Sequence, residues 1–81
     1  MYFVYILKDK TNKIYIGFTT TLERRYKEHL QGKVYSTKKM TDPELYYYEA
    51  YANEGHAKQR ESNLKQFGSA YSGLMKRIQL K

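Results

Sequence analysis

Tyr2-Phe3-Val4-Tyr5-Ile6-Leu7, then Lys8-Asp9-Lys10-Thr11-Asn12, then Lys13-Ile14-Tyr15-Ile16-Gly17-Phe18 is the stretch on which the fold turns. Its outer segments are aromatic, β-branched and aliphatic, and the second alternates with a period of two. Both are therefore predicted as strands, with the polar residues between them forming a hairpin loop. Alternation puts Val4 and Ile6 opposite Phe3, Tyr5 and Leu7 on the first strand, and Ile14, Ile16 and Phe18 opposite Tyr15 and Gly17 on the second. If the aliphatic faces coincide, Tyr5 and Tyr15 share the other face. A slip of one residue would separate them, because every side chain then changes sides.

Beyond the hairpin, Thr20-Thr21-Leu22-Glu23 reads as a capping box that starts a helix. Leu22, Tyr26 and Leu30 form its apolar stripe, Arg25 and His29 flank that stripe, Arg24 and Glu28 form an (i, i+4) pair, and Gly32 ends the helix. Lys33 to Pro43 has little hydrophobic pattern and is expected to be a mobile basic loop. Glu44 to Tyr51 is rich enough in aromatics to be a third strand, and Asn53 caps a helix from about Glu54 to Phe67, with Ala57, Leu64 and Phe67 inward and Gly68 as its stop. Ser69 caps a last helix whose stripe is Tyr71, Leu74, Met75 and Ile78, despite the cost of Gly73 in its interior. The predicted class is α+β, in the order β-β-α-β-α-α.

A chain of 81 residues has room for one core, so a single domain over 1–81 is expected. Cysteine is absent, which excludes disulfides and thiolate metal sites and fits a reducing, cytoplasmic location. No apolar run approaches the roughly 20 residues needed to cross a bilayer, and the apolar N-terminus meets charge at Lys8 too early for a signal peptide, so no membrane association is expected. The net charge of +7 favours a polyanionic partner, nucleic acid first among them, although lysines also serve simply to keep a small protein soluble. Of the ten tyrosines, most are expected to pack, including the Tyr46-Tyr47-Tyr48 run, which is more often strand packing than a base-stacking platform.

Glu61 is the position that asks for a reason, because it falls on the inward side of its helix near Ala57 and Leu64. One reading leaves it at the edge of the stripe, in water or paired with a lysine. The other makes it a ligand for a divalent cation: magnesium prefers oxygen and can be held by one carboxylate plus phosphate oxygens. Zinc is disfavoured, with two histidines and no cysteine at ligand spacing.

Taken in order, Val4-Tyr5-Ile6, Tyr15-Ile16-Gly17, Leu22-Glu23-Arg24-Arg25-Tyr26-Lys27-Glu28-His29 and Ala57-Lys58-Gln59-Arg60-Glu61 resemble the signature of the GIY-YIG endonuclease superfamily. The resemblance covers nearly the whole chain and is strongest to small stand-alone proteins similar to the N-terminal incision domain of the DNA-repair excinuclease. Val4 departs from the glycine that gives the family its label, but the tyrosine beside it is kept. The resemblance implies a three-stranded antiparallel sheet flanked by helices and a metal-dependent endonuclease, using Mg2+ or Mn2+, that cuts DNA in preference to RNA, with low sequence specificity. It implies Tyr5 as general base or water-positioning group, Tyr15 as its partner in orienting water or phosphate, Gly17 as the motif glycine and Arg25 as the phosphoryl clamp. Glu61 becomes the metal ligand, and His29 matches a histidine of some members that could relay a proton. Arg24 rivals Arg25 for the arginine role and otherwise joins Lys33, Lys38 and Lys39 as a phosphate contact; Asn63 and Lys65 could support the site. An unperturbed tyrosine, with a pKa near 10, would need cationic help to act as phenolate. A module of the same fold that binds nucleic acid but is silent without a partner is the alternative, and specificity would call for a protein partner or a second copy.

Overall fold

The computed structural model describes residues 1–79, so the last two residues of the predicted 1–81 unit lie outside it. Its elements are β1 (Tyr2–Lys8), β2 (Ile14–Thr19), α1 (Leu22–Leu30), a single 3-10 turn (Tyr35–Thr37), β3 (Glu44–Tyr51), α2 (Glu54–Lys65) and α3 (Ser69–Gln79). The three strands form one antiparallel sheet in the order β2-β1-β3, which is the predicted α+β arrangement.

Register settles the question left by alternation. Tyr5 pairs with Gly17 and Leu7 with Tyr15, while Val4 faces Phe18 and Ile6 faces Ile16. Directly paired residues share a face, so Tyr5 and Tyr15 stand on one side of the sheet and the aliphatic set on the other. The hairpin is closed by Asp9, which is buried and whose carboxylate accepts from the Thr11 amide and hydroxyl and the Lys13 and Thr41 amides. Burial alone would raise its pKa. The bonds from Thr41, Thr11 and Lys13 outweigh it and bring the carboxyl down to about 2.

On the aliphatic face, Val4, Ile6 and Ile16 pack with Ala57 and Leu64 of α2 and Leu74 and Met75 of α3. Each fully buried aliphatic side chain here contributes about 1.5–3 kcal/mol. A polar anchor fixes α2 in rotation: the Arg60 guanidinium donates twice to the Glu49 carboxylate, at 2.9 and 3.0 Å, and the Tyr47 and Tyr51 hydroxyls donate to the same group. Asn53 caps α2 as expected, its side chain accepting from the His56 amide at 3.0 Å.

Several local expectations are corrected. The capping box does not form: Thr21 is the N-cap of α1 and makes no side-chain cap, its hydroxyl instead accepting from Arg24 at 3.1 Å. Glu28 pairs with Arg25, not Arg24. Leu30 is 53% exposed while His29 is buried, so the row Leu22, Arg25, Tyr26 and His29 lies inward. The reason is tertiary, since the sheet face that receives α1 presents tyrosine hydroxyls that apolar Leu30 could not satisfy. Gly32, at φ +73°, ends α1 as predicted. Phe67, not Gly68, takes the left-handed backbone after α2, at φ 54°; it is exposed and packs edge-on against Tyr71, outside the core. The basic loop is held at several points, with Val34 and Thr37 buried and Thr41 bonded to Asp9.

Candidate active site

β1 supplies Tyr5, β2 supplies Tyr15 and Gly17, and α1 lays His29 across them. The Tyr5 hydroxyl and His29 Nε2 are 2.7 Å apart and buried. Three rings pack together: Tyr15 to His29 at 5.0 Å between centroids, Tyr5 to His29 at 5.6 Å and Tyr5 to Tyr15 at 6.1 Å. Gly17 explains how Tyr5 fits. A Cβ at position 17 would lie 2.5 Å from the Tyr5 hydroxyl oxygen and closer still to ring carbon Cζ, so only glycine leaves room for the phenol.

The electrostatics follow from burial. Tyr5 is 1% exposed, and desolvation drives its phenol above its ordinary range; Tyr15 adds to the rise and Arg25 offsets only part of it. Burial thereby favours the neutral phenol. His29 is pushed the other way, toward the neutral ring, first by burial and then by the Arg25 charge, with Glu28 opposing. Arg25, one helical turn before His29, keeps its full charge, steadied by its bond to Glu28 at 3.0 Å and by the Tyr5 and Tyr15 oxygens. Its side chain is 37% exposed, so Arg25 and half-buried Tyr15 form the solvent edge of the cluster, with Tyr5 and His29 beneath.

Glu61 is carried by a different layer. It sits on α2, whose Ala57 and Leu64 pack on the aliphatic face, so its helix approaches the sheet from the side opposite to the rings. Its carboxylate is 21% exposed and pairs with Lys65 at 3.1 Å. Among the described residues no cluster of three or more acidic or histidine side chains could hold a metal. The donor set present, a lone half-buried carboxylate, fits a hard ion that completes its shell from water and phosphate, and does not fit zinc.

Arg24 lines a shallow groove of about 510 Å³ beside the site with Phe3, Thr20, Thr21, Leu22, Glu23 and Lys27. Lys33, Lys38 and Lys39 are exposed on the loop that covers His29, and Lys38 lies 5.1 Å over the exposed Tyr35 ring. Asn63 accepts from Gln59 at 2.9 Å, within its own helix. The residue missed by sequence reasoning is Thr37, whose hydroxyl lies 2.7 Å from His29 Nδ1. Nothing in the pattern of the loop signals it.

A sheet with paired tyrosines over a glycine and a helical arginine and histidine above them defines a GIY-YIG type of catalytic domain. The model of the GIY-YIG catalytic domain matches residues 1–74, and the chain belongs to this family of the nuclease superfamily. It is 37% identical to UPF0213 protein SH2523 of Staphylococcus haemolyticus over 67 residues, 82% of each chain. It is 47% identical to UPF0213 protein YhbQ of Escherichia coli over 32 residues, 40% of this chain and 32% of that one. The solution structure of UPF0213 protein BH0048 from Bacillus halodurans superposes with a TM-score of 0.59 at 28% identity, covering 96% of this chain and 85% of that one.

Proposed function

We propose that the protein is a divalent-metal-dependent endonuclease that hydrolyses phosphodiester bonds in DNA with low sequence specificity, in the cytoplasm, with DNA repair as its setting. The observation that carries the reading is the buried Tyr5–His29 hydrogen bond beside Arg25. Hydrolysis requires a water to lose a proton as it attacks phosphorus, and a buried phenol is poorly placed to do this by standing ionised. It can do it by giving its own proton to His29 Nε2 as it receives one from the water side, so that neither group carries charge beforehand. Tyr15, at the solvent edge, orients the water. Arg25 meets the phosphoryl oxygens with a planar fork of donors that stabilises their growing charge, a role lysine fills poorly. The new P–O bond forms as the bond to the 3' oxygen breaks, and that oxygen takes a proton from solvent. Magnesium or manganese, held by Glu61 and phosphate, would supply neutralisation of charge at the leaving oxygen. Arg24, exposed on α1, and Lys33, Lys38 and Lys39, exposed on the loop that carries Thr37, serve the phosphate backbone.

A second reading, a partner-dependent or catalytically silent nucleic-acid-binding module, is favoured by one observation: Glu61 belongs to the helix on the aliphatic face and is occupied by Lys65. Plasmid nicking with magnesium or manganese separates the two. The nuclease reading expects Arg25→Ala to slow nicking by roughly 100- to 1,000-fold and Glu61→Ala to abolish its metal dependence, with DNA binding retained in both. Equal behaviour of the wild type and both variants refutes it.

A further inference from the structure

The loop between α1 and β3 places one hydroxyl in the interior. Thr37 is 1% exposed and its Oγ1 stands between two groups, His29 Nδ1 at 2.7 Å and the Val34 carbonyl at 3.4 Å. The backbone holds it there: the Thr37 amide donates to Val34 and the Met40 amide to Thr37. Further along, Thr41 is tied to Asp9.

Proton counting along this line starts from Thr37. The Thr37 hydroxyl donates to the Val34 carbonyl at 3.4 Å, so toward His29 its oxygen serves as acceptor. The single ring proton of neutral His29 then sits on Nδ1, and Nε2 is left bare toward the Tyr5 hydroxyl. Nδ1–H needs an acceptor, and Thr37 Oγ1 is the atom in reach; the Thr37 proton is left for the Val34 carbonyl, the remaining acceptor beside it. In the opposite tautomer, Nε2–H would point at the Tyr5 oxygen and the Thr37 proton would abandon Val34 for Nδ1.

We infer that Thr37 is a positioning residue that holds His29 as the Nδ1–H tautomer, leaving Nε2 bare to accept the Tyr5 proton. The basic loop is then structurally part of the site, and a loop hydroxyl performs the orienting task that a carboxylate performs in other histidine relays. A neutral hydroxyl suits this place. Beside buried His29, a carboxylate would favour the protonated ring more than a hydroxyl does, and a protonated Nε2 accepts nothing. Only the catalytic consequence rests on the nuclease reading; the tautomer does not.

The test compares wild type, Thr37→Val and Thr37→Ser by the nitrogen chemical shifts of the His29 ring at neutral pH, alongside plasmid nicking, with circular dichroism to verify folding. The expected result is a protonated Nδ1 in the wild type and Thr37→Ser, and a shift toward Nε2–H in Thr37→Val. Steady-state nicking should show kcat reduced roughly 10- to 100-fold in Thr37→Val with KM little changed, and recovery in Thr37→Ser. A wild-type ring protonated on Nε2, or ring shifts in Thr37→Val identical to wild type, overturns the assignment. Should Thr37→Val fail to fold, the wild-type and Thr37→Ser shifts still decide it. If the wild type cuts nothing, the nuclease reading falls while the ring shifts stand.

Discussion

Replacing Gly17 with alanine tests the packing on which the site depends. The backbone at position 17 is not in the left-handed region, so alanine meets no conformational penalty and, in a strand, should gain about 0.5–1 kcal/mol over glycine. Against this, the new methyl would lie 2.5 Å from the Tyr5 hydroxyl oxygen, about an ångström inside ordinary contact. The phenol is fully buried, so any retreat is into packed neighbours such as Tyr15 and His29. Moving it by an ångström takes the hydroxyl out of its 2.7 Å bonding geometry with His29. Overpacking costs about 1–3 kcal/mol and the orphaned buried bond about 1–3 kcal/mol more. The net loss should be about 3 kcal/mol, which for a protein this size lowers Tm by roughly 12–24 °C. A double-mutant cycle isolates the cause: Tyr5→Leu removes the atoms that collide, so Gly17→Ala in that background should be neutral or stabilising. Thermal melts of the four proteins decide it. The same loss in both backgrounds, or none in either, refutes the account.

Three further outcomes follow from the same geometry. Because the Asp9 carboxyl is held at about 2, below its unfolded value of 3.8, its contribution is complete above pH 4 and disappears as pH falls toward 2; the Tm gap between wild type and Asp9→Asn should therefore close over that range, and a constant gap would contradict the bonding described. His29 is held toward its neutral form by burial and by Arg25, against Glu28, so the unfolded chain binds the extra proton and stability should decline as pH falls below about 6.5. His29→Gln should flatten that slope in pH-dependent melts, whatever its cost at neutral pH. Arg60→Ala should destabilise by about 2 kcal/mol, less than a fully buried pair because both side chains keep some exposure. It should also loosen α2, which hydrogen exchange would register at Glu61 before it reached the core of β1.

How much of this was legible in the chain depended on the range of the interaction. The strands, the Asn53 cap and the Gly32 stop are written in short segments, because backbone pleat, helical pitch and the freedom of glycine act over a few residues, whereas the shared face of Tyr5 and Tyr15 waited on the register of the pairing. Leu30 misled for the same reason: four-residue spacing marks a stripe but does not say what that stripe will meet. Glu61 stands on its helix between Ala57 and Leu64, as the spacing indicates, yet the layer to which that helix belongs is not in the helix.

Residues 2–18 already contain the hairpin and its two unequal faces, since alternation sorts side chains wherever a strand forms. Burial of His29, the room that Gly17 leaves for a phenol, the hydroxyl of Thr37 beneath a basic loop and the side of the sheet from which Glu61 approaches came only with assembly. Each of these is a contact between different elements, eight residues apart for His29 and Thr37 and 24 for Tyr5 and His29. Such contacts are chosen by which polar groups a buried face must satisfy, a demand that does not exist until the layers close.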